Sequence, residues 1–402
     1  MIRITRLFKD FTNSERSAGF VLIGTTVLSL LLTNFVLGDT LNHLYHTKIG
    51  PATESLHLRL SVEHWVNDGL MTIFFLLVGL EIEREVYIGE LSTLQNASLP
   101  LFAALGGMLL PFLIHFSLNY GLPTQRGSGI PMATDIAFAL GILSLAKGVP
   151  YGLKVFLTAF AIIDDLGAIL VIAFFYSEGV QWGYLAAAGG ILGLLFLFNR
   201  LQLHRAWMYL LPGVLLWYCF LQSGVHATLS GVLLAFVLPF GKGDESSLSY
   251  RLQHWLHKPV AFLILPLFAF VNTGIPINAA GLGELFSRNS LGIILGLVAG
   301  KPLGILLFCA LAVKLGWSGL PTGVRWGHLW GAGILGGIGF TMSVFVTLLA
   351  FDRPELVTGS KMAILVASTG ASLLGLAAMS GVKRRGAAHK RPLAPVEQRQ
   401  QS

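Results

Sequence analysis

Charge is what this 402-residue chain has least of: Asp, Glu, Lys and Arg together make up 12%, about half their share in a soluble domain. With hydrophobic residues at 54% and a mean hydropathy of +0.71, that scarcity excludes a water-soluble fold and reads as an all-α polytopic membrane protein. Cysteine is nearly absent. Cys219 and Cys309 both fall inside apolar runs, so they read as small buried hydrophobes and imply no disulfide framework. Acidic side chains number 20 against 27 Lys and Arg, and the pI is near 9.5. The basic excess is scattered over short loops and the C-terminus, which points to membrane topology and away from a nucleic-acid partner.

A helix needs about 20 apolar residues to cross a bilayer. On that ruler spans fall near 17–37, 62–85, 97–119, 128–146, 154–176, 182–199, 206–222, 225–240, 256–273, 290–314, 326–350 and 360–380. This gives about twelve spans, the seventh and eighth short. The run from Ala18 to Leu37 is too long for a signal-peptide core and lacks a small-residue cleavage site, so it is expected to be the first span. An even number of spans puts both termini on one face. Placed inside, they group Arg3, Arg6, Lys9, Arg16, Arg84, Lys147, Lys154, Arg200, Arg205, Lys242, Arg251, Lys258, Lys314 and Arg325 with the basic tail, against Lys48, Arg59, Arg126, Arg288, Arg353 and Lys361 outside. That bias predicts cytoplasmic termini. Residues 1–381 read as one transmembrane transporter domain, and 382–402 as a disordered basic cytoplasmic tail. Between the first two spans, Gly50-Pro51 and the alternation of Leu56, Leu58 and Leu60 with polar residues predict a short outer β-hairpin, about 45–61. Its exposed edge could pair with a second copy or remain a surface loop.

The apolar run from Val155 to Phe175 contains two adjacent carboxylates, Asp164 and Asp165. Each ionised group costs at least about 2.5 to 3.5 kcal/mol at a helix centre in the bilayer. Lys301, in the run from Leu291 to Val313, carries the sign that compensates part of that cost. One lysine does not neutralise two aspartates, so the three residues are the candidate ion site rather than a tie between two helices. Adjacent positions project about 100° apart on a helix, so the two carboxylates make different contacts.

Two other spans carry their own interruptions. Pro131, Thr134 and Asp135 sit in mid-membrane in the fourth, and the Gly336–Ser343 stretch of the eleventh is rich in glycine and hydroxyls; such backbone is tolerated where it lines a cavity. Seven spans separate the two, so they run in opposite directions, which predicts inverted-topology repeats made of spans 3–5 and 10–12, with discontinuous helices 4 and 11 crossing at mid-membrane. Crossed broken helices bring like dipole ends together, where Asp135 would offset the N-terminal ends and Lys301 the C-terminal ends. At the cytoplasmic end of the second span, Glu81 and Glu85 lie four apart on one helix face beside Arg84, either an acidic mouth or an interfacial charge cluster. His226, His254 and His257 lie near span ends, where histidines act as polar caps or as titrating switches.

These motifs resemble the NhaA-type Na+/H+ antiporter family. The resemblance runs from the first span to the twelfth, through NDGLMTIFFLLVGLEIERE at 67–85, ATDIAFALG at 133–141, AIIDDLGAI at 161–169, GVHATLSGV at 224–232, ILPLFAFVNTGI at 264–275, GKPLGI at 300–305 and GIGFTMSVF at 337–345. It implies that Asp165 is the main Na+ or Li+ ligand, that Asp164 pairs with Lys301, and that Thr134 and Asp135 belong to the crossed assembly. It further implies a homodimer joined partly by the outer hairpin, a bacterial inner-membrane location in contact with lipid, no cofactor, and activity switched on at alkaline pH. Family pH-response positions fall on Glu81, Arg84, Glu85, His226, His254 and His257. Gln253 stands where well-studied members carry a glutamate, so the pH set point is expected to differ.

The function expected is secondary antiport of cytoplasmic Na+ or Li+ against external protons, serving sodium and pH homeostasis without covalent chemistry. Two carboxylates and a lysine supply more than one exchangeable proton, so exchange is expected to be electrogenic. A cation channel is the alternative, though a doubled acid with a membrane-embedded lysine suits an occluding site better than an open ring. An intramembrane aspartyl protease is a remote one, because its two aspartates would come from different helices.

Overall fold

A computed structural model describes residues 15–51, 58–177, 179–277 and 279–388. The elements in chain order are α1 (Glu15–Phe35), α2 (Gly38–His46), β1 (Lys48–Ile49), β2 (Leu60–Ser61), α3 (Val62–Tyr87) and α4 (Leu94–Leu118). A tight 3₁₀ segment, Pro123–Met132, then leads to α5 (Ile136–Leu143), α6 (Tyr151–Phe175), α7 (Trp182–Arg200), α8 (Trp207–Ser223), α9 (Leu229–Val237) and α10 (Leu248–Asn272). The chain closes with α11 (Arg288–Lys314), α12 (Trp326–Gly336), α13 (Phe340–Ala350) and α14 (Pro354–Ala388).

Among the described residues eight helices are long and apolar enough to cross a membrane, and α12 with α13, bent by 43° at their break, make a ninth. The other three expected spans are shorter: α5 has 8 residues, α8 has 17 and α9 has 9. Local chemistry explains the two shortest. Leu238, which ends α9, is extended at ψ 145°, as the ring of the following Pro239 demands. Before α5 the backbone is 3₁₀ up to Met132 and extended at Ala133. Helix α10 starts eight residues earlier than hydropathy alone suggests, because its first turns are amphipathic and carry His254 and His257. Helix α14 runs on to Ala388, into the stretch expected to be a tail; residues 389–402 lie outside the described residues.

The outer hairpin is two short antiparallel strands, Lys48 opposite Ser61 and Ile49 opposite Leu60. The hairpin's residues 52–57 lie outside the described residues. The Trp65 indole N–H donates to the Ile49 carbonyl at 3.0 Å and fastens the sheet to the start of α3. Helix α2 had no counterpart in the hydropathy reading, because its Asp, His and Asn residues make it amphipathic and short.

What sets the backbone separation inside the bundle is glycine on α11. Gly292, Gly296, Gly300 and Gly304 recur every four residues and so share one face. A Cβ on Gly304 would fall 2.0 Å from the Gly106 carbonyl oxygen of α4, and one on Gly296 would fall 2.7 Å from Pro131 Cβ. Helix α11 therefore lies directly on α4 and on the 3₁₀ segment, the close approach that small residues permit inside membranes. The turn Gly296–Gly300 is π-helical and delivers Lys301 to the bundle interior.

Candidate ion site

The site is assembled where the two interrupted segments meet α6 and α11. After Met132 the chain is extended through Ala133 and Asp135, which turns backbone groups sideways toward the other broken segment. The Asp135 amide donates to the Ile338 carbonyl at 2.7 Å, and the Thr134 hydroxyl donates to the Gly336 carbonyl at 2.9 Å. The two breaks thus satisfy one another's polar groups, as they must away from water.

Asp135 caps two helices. Its Oδ1 accepts from the Phe138 amide at 2.9 Å, at the start of α5. Its Oδ2 accepts from the Thr341 amide at 3.2 Å and from the Thr341 hydroxyl, at the start of α13. A carboxylate in that place faces two positive dipole ends at once. Lys301, fully buried, faces the opposite polarity. Its Nζ donates to the Met132 carbonyl, the last of the 3₁₀ segment, and to Asp164 Oδ2 at 2.8 Å. The ammonium also lies 5.9 Å from the Phe160 ring centroid, within cation–π range.

Asp164 and Asp165 are both buried and divide as adjacent helical residues must. Asp164 turns to Lys301, while Asp165 lines a cavity of about 400 Å³ together with Asp135 and Thr341. The Oδ1 atoms of both aspartates lack a hydrogen-bond partner among the described residues. The cavity continues to the C-terminal end of α3 and the N-terminal end of α10, where Glu81, Arg84, Glu85, Gln253 and His257 line it. Glu81, Arg84 and Glu85 therefore share one space with Asp165, and the fold adds Gln253 and His257 to it.

Inside that mouth the contacts differ. His257 Nδ1 lies 4.0 Å from Glu81 Oε1. Glu85 Oε2 accepts from the Glu90 amide at 2.9 Å, which closes the turn after α3. Arg84 lies over the Tyr250 ring, its guanidinium carbon 5.9 Å from the centroid, and the His254 ring stacks parallel to that of Tyr250 with centroids 6.4 Å apart. His254 does not line the cavity; it meets Tyr250, which in turn packs against Arg84. His226 is elsewhere: its Nε2 donates to the Tyr176 carbonyl at 2.9 Å, at the C-terminal end of α6 and away from the cavity. No cluster of three or more His, Cys, Asp or Glu suited to a resident metal occurs among the described residues.

Two participants escaped the sequence reading. Thr341 was visible only as one hydroxyl among glycines, and its partnership with Asp135 depends on the fold. The Met132 carbonyl has no sequence signal of its own. The glycine ladder from 292 to 304 escaped that reading too, although its four-residue spacing stands in the sequence.

Apolar helices in this number, a buried acidic pair with a lysine, and a cavity leading to it define a multi-pass membrane carrier of small cations. The chain matches the Na+/H+ antiporter 1 family over residues 9–379, and it belongs to that family; it is a transporter, not an enzyme. It is 56% identical to the Na+/H+ antiporter NhaA of Cytophaga hutchinsonii over 376 residues, 93% of this chain and 95% of that protein. It is 53% identical to NhaA 1 of Flavobacterium johnsoniae, with 93% and 96% covered, and 53% identical to NhaA of Dechloromonas aromatica, with 93% and 95% covered.

Proposed function

We propose that this chain exchanges cytoplasmic Na+ or Li+ for external protons at Asp165, with Asp164 and Lys301 as the coupled partner pair. The observation that carries the reading is the division of the two aspartates, one tied to the lysine and the other turned into the cavity. A hard monovalent cation suits carboxylate and hydroxyl oxygens, and the same carboxylate binds a proton. Cation and proton then compete for one place and never need occupy it together. Thr134 and Asp135 hold the two breaks in register, and the acids at the α3 end raise the local cation concentration.

The rest of the reading follows the family and the pattern of charge. All twelve stretches cross the bilayer, α5 with the 3₁₀ segment and α12 with α13 forming two broken spans that cross at mid-membrane within inverted repeats. Both termini are cytoplasmic, residues 1–381 form the transporter domain with a basic tail after it, and two copies join at the outer hairpin in a bacterial inner membrane. Exchange is electrogenic, because protons leave both Asp165 and the Asp164–Lys301 pair for each cation bound. Its alkaline activation involves Glu81, Arg84, Glu85, His226, His254 and His257, with the set point moved by Gln253. No cofactor takes part.

The test is a pH-sensitive dye in proteoliposomes. Na+ or Li+ pulses across a pH series from about 6.5 to 9 are expected to move protons, and an inside-negative diffusion potential is expected to drive Na+ outward. Absence of Na+-driven proton movement throughout the series would overturn the reading. Flux that neither saturates nor requires a counter-ion would favour the channel instead.

A further inference from the structure

Helix α6 has a cavity on each side of its first half. One is the cavity that reaches Asp165, lined on α6 also by Thr158 and Ile162. The other, of about 680 Å³, lies between α6, the start of α4 and the loop after α11. Its rim is polar and exposed, with Glu90, Gln95 and Asn96, and its floor is buried and apolar, with Leu99, Phe156 and Ala159. Both cavities open at the end of the bundle where α3 finishes and α4 begins. Between their mouths stands the turn that Glu85 closes onto the Glu90 amide.

Phe156, Phe160 and Asp164 recur every four residues, so α6 presents them in one row. The floor of the second cavity is thus the start of a row that ends at the ion pair. The Phe156 and Phe160 rings stack with centroids 6.4 Å apart, and the Phe160 centroid lies 5.9 Å from Lys301 Nζ. One aromatic ring stands between the cavity floor and the ammonium. It fits without slack: a Cβ on Gly107 of α4 would meet Phe160 Cε2 at 3.3 Å, and one on Gly336 of α12 would meet Cε1 at 3.2 Å. Asp164 and Lys301 are fully buried and line neither cavity. The second cavity belongs to the most closely packed part of the bundle, where Gly106 and Gly304 hold α4 on α11 and Gly107 seats the Phe160 ring of α6. The first lies between α6 and two helices outside that group, α3 and α10. The second cavity therefore stays beside the ion pair however the group sits against α3 and α10.

We infer that Phe160 is a positioning residue that acts through Lys301: its ring seals the Asp164–Lys301 pair from the water of the second cavity, so that the pair is reached only by way of Asp165. The inference rests on the exchange reading above. A carrier exposes its site to each face in turn, and a pair wetted from one face throughout would leave a path for protons across the molecule whenever the site met the other. The ring also keeps the surroundings of the pair at low dielectric, where its charges act on each other most strongly.

The test removes the ring and asks whether water follows. In a Cys219→Ala/Cys309→Ala background, Ile305→Cys places a thiol one turn after Lys301, where Ile305 and Phe160 meet the same two glycines. Its reaction with a small cationic methanethiosulfonate is followed in purified full-length protein with Phe160 intact, with Phe160→Ala, and with Phe160→Met, which refills most of the space. Without the reporter, Na+-free proton movement into proteoliposomes under an imposed pH gradient is compared between Phe160→Ala and Phe156→Ala. The seal predicts labelling about ten-fold faster in Phe160→Ala, since the thiolate that reacts forms where water reaches it, and the parent rate in Phe160→Met. It also predicts a Na+-independent proton leak in Phe160→Ala and none in Phe156→Ala, which loses the same volume but leaves the seal in place. Unchanged labelling in Phe160→Ala would overturn the inference. So would a leak of equal size in the two alanine variants, because loosened packing would then suffice. Should Phe160→Ala not fold, Phe160→Val, which opens a smaller void, is read by the same two criteria. Labelling needs no transport, so it decides the seal even if Na+/H+ exchange fails its own test.

Discussion

Asp164 and Asp165 stand next to each other in sequence yet meet different surroundings, because a helix turns about 100° between them. Asp164 has Lys301 at 2.8 Å; Asp165 has the cavity. Asp165→Asn keeps the volume and removes both the negative charge and the titrating proton, so exchange is expected to vanish while the protein stays folded. Dye dequenching together with size-exclusion chromatography checks this, and near-normal Na+ affinity in the variant would refute the assignment. For the other pair the expectation concerns stability. Removing one partner of a buried ion pair leaves an uncompensated charge and costs about 3 to 5 kcal/mol, whereas replacing both with neutral groups of similar size is close to neutral. Lys301→Met is therefore expected to lower the unfolding temperature, and adding Asp164→Asn is expected to restore most of it. A double variant no more stable than the single one would show that a stranded Asp164 charge is not what destabilises Lys301→Met. The three charges were legible in the sequence, because ionisable residues in apolar runs are costly enough to be conspicuous. The contacts of Lys301 with the Met132 carbonyl and of Asp135 with Thr341 were not, since a carbonyl and a hydroxyl carry no such cost.

At the scale of the element, interruption and close approach do the positioning. Asp135 and Thr134 tie one break to the other at Ile338 and Gly336, and α11 is held against α4 by glycines that leave no room for a methyl group. Gly304→Ala puts a Cβ 2.0 Å from the Gly106 carbonyl oxygen, which the helices relieve only by separating. Overpacking of this kind costs about 1 to 3 kcal/mol, and the shift is carried along α11 to Lys301. The variant is expected to unfold at lower temperature and to bind Na+ more weakly. A Gly24→Ala control, with nothing within 4 Å of the added carbon, is expected to do neither. Thermal unfolding and the Na+ dependence of proton flux measure both, and wild-type values for Gly304→Ala would contradict the packing account. The broken spans were legible from Pro131 and from the glycines at 336–339, residues that spoil a continuous helix. The boundaries were less so, because Pro239 shortens α9 and the amphipathic start of α10 hides from hydropathy.

For the whole molecule, hydropathy found every long apolar helix, and the chain is a multi-pass membrane protein. What it could not distinguish is a span from a stretch too short to cross alone, as α5 and α9 are. Charge marked Glu81, Arg84 and Glu85 at the α3 end as either a mouth or an interfacial cluster; they line the cavity, and there the fold adds Gln253 and His257 to the same space. The two histidines that stay outside it, His226 and His254, resembled His257 in sequence; only the packing of α6 and α10 separates them. Gln253 is the residue at the mouth that carries no charge where a carboxylate is expected. Gln253→Glu is expected to shift the pH profile of exchange more than its maximum rate, since the position lines the mouth and not the centre; an unchanged profile would remove it from the pH response.

The central claim is that cation and proton compete for one carboxylate. The direct measurement is the Na+ dependence of proton flux in proteoliposomes at a series of pH values. Competition predicts that the KM for Na+ climbs about ten-fold per unit fall in pH for each proton the cation displaces, and so more steeply than ten-fold where the Asp164–Lys301 pair also releases one, while saturating Na+ restores the same maximum rate. A maximum rate that collapses with falling pH at an unchanged KM would contradict it, since protons would then act at some place other than the cation site.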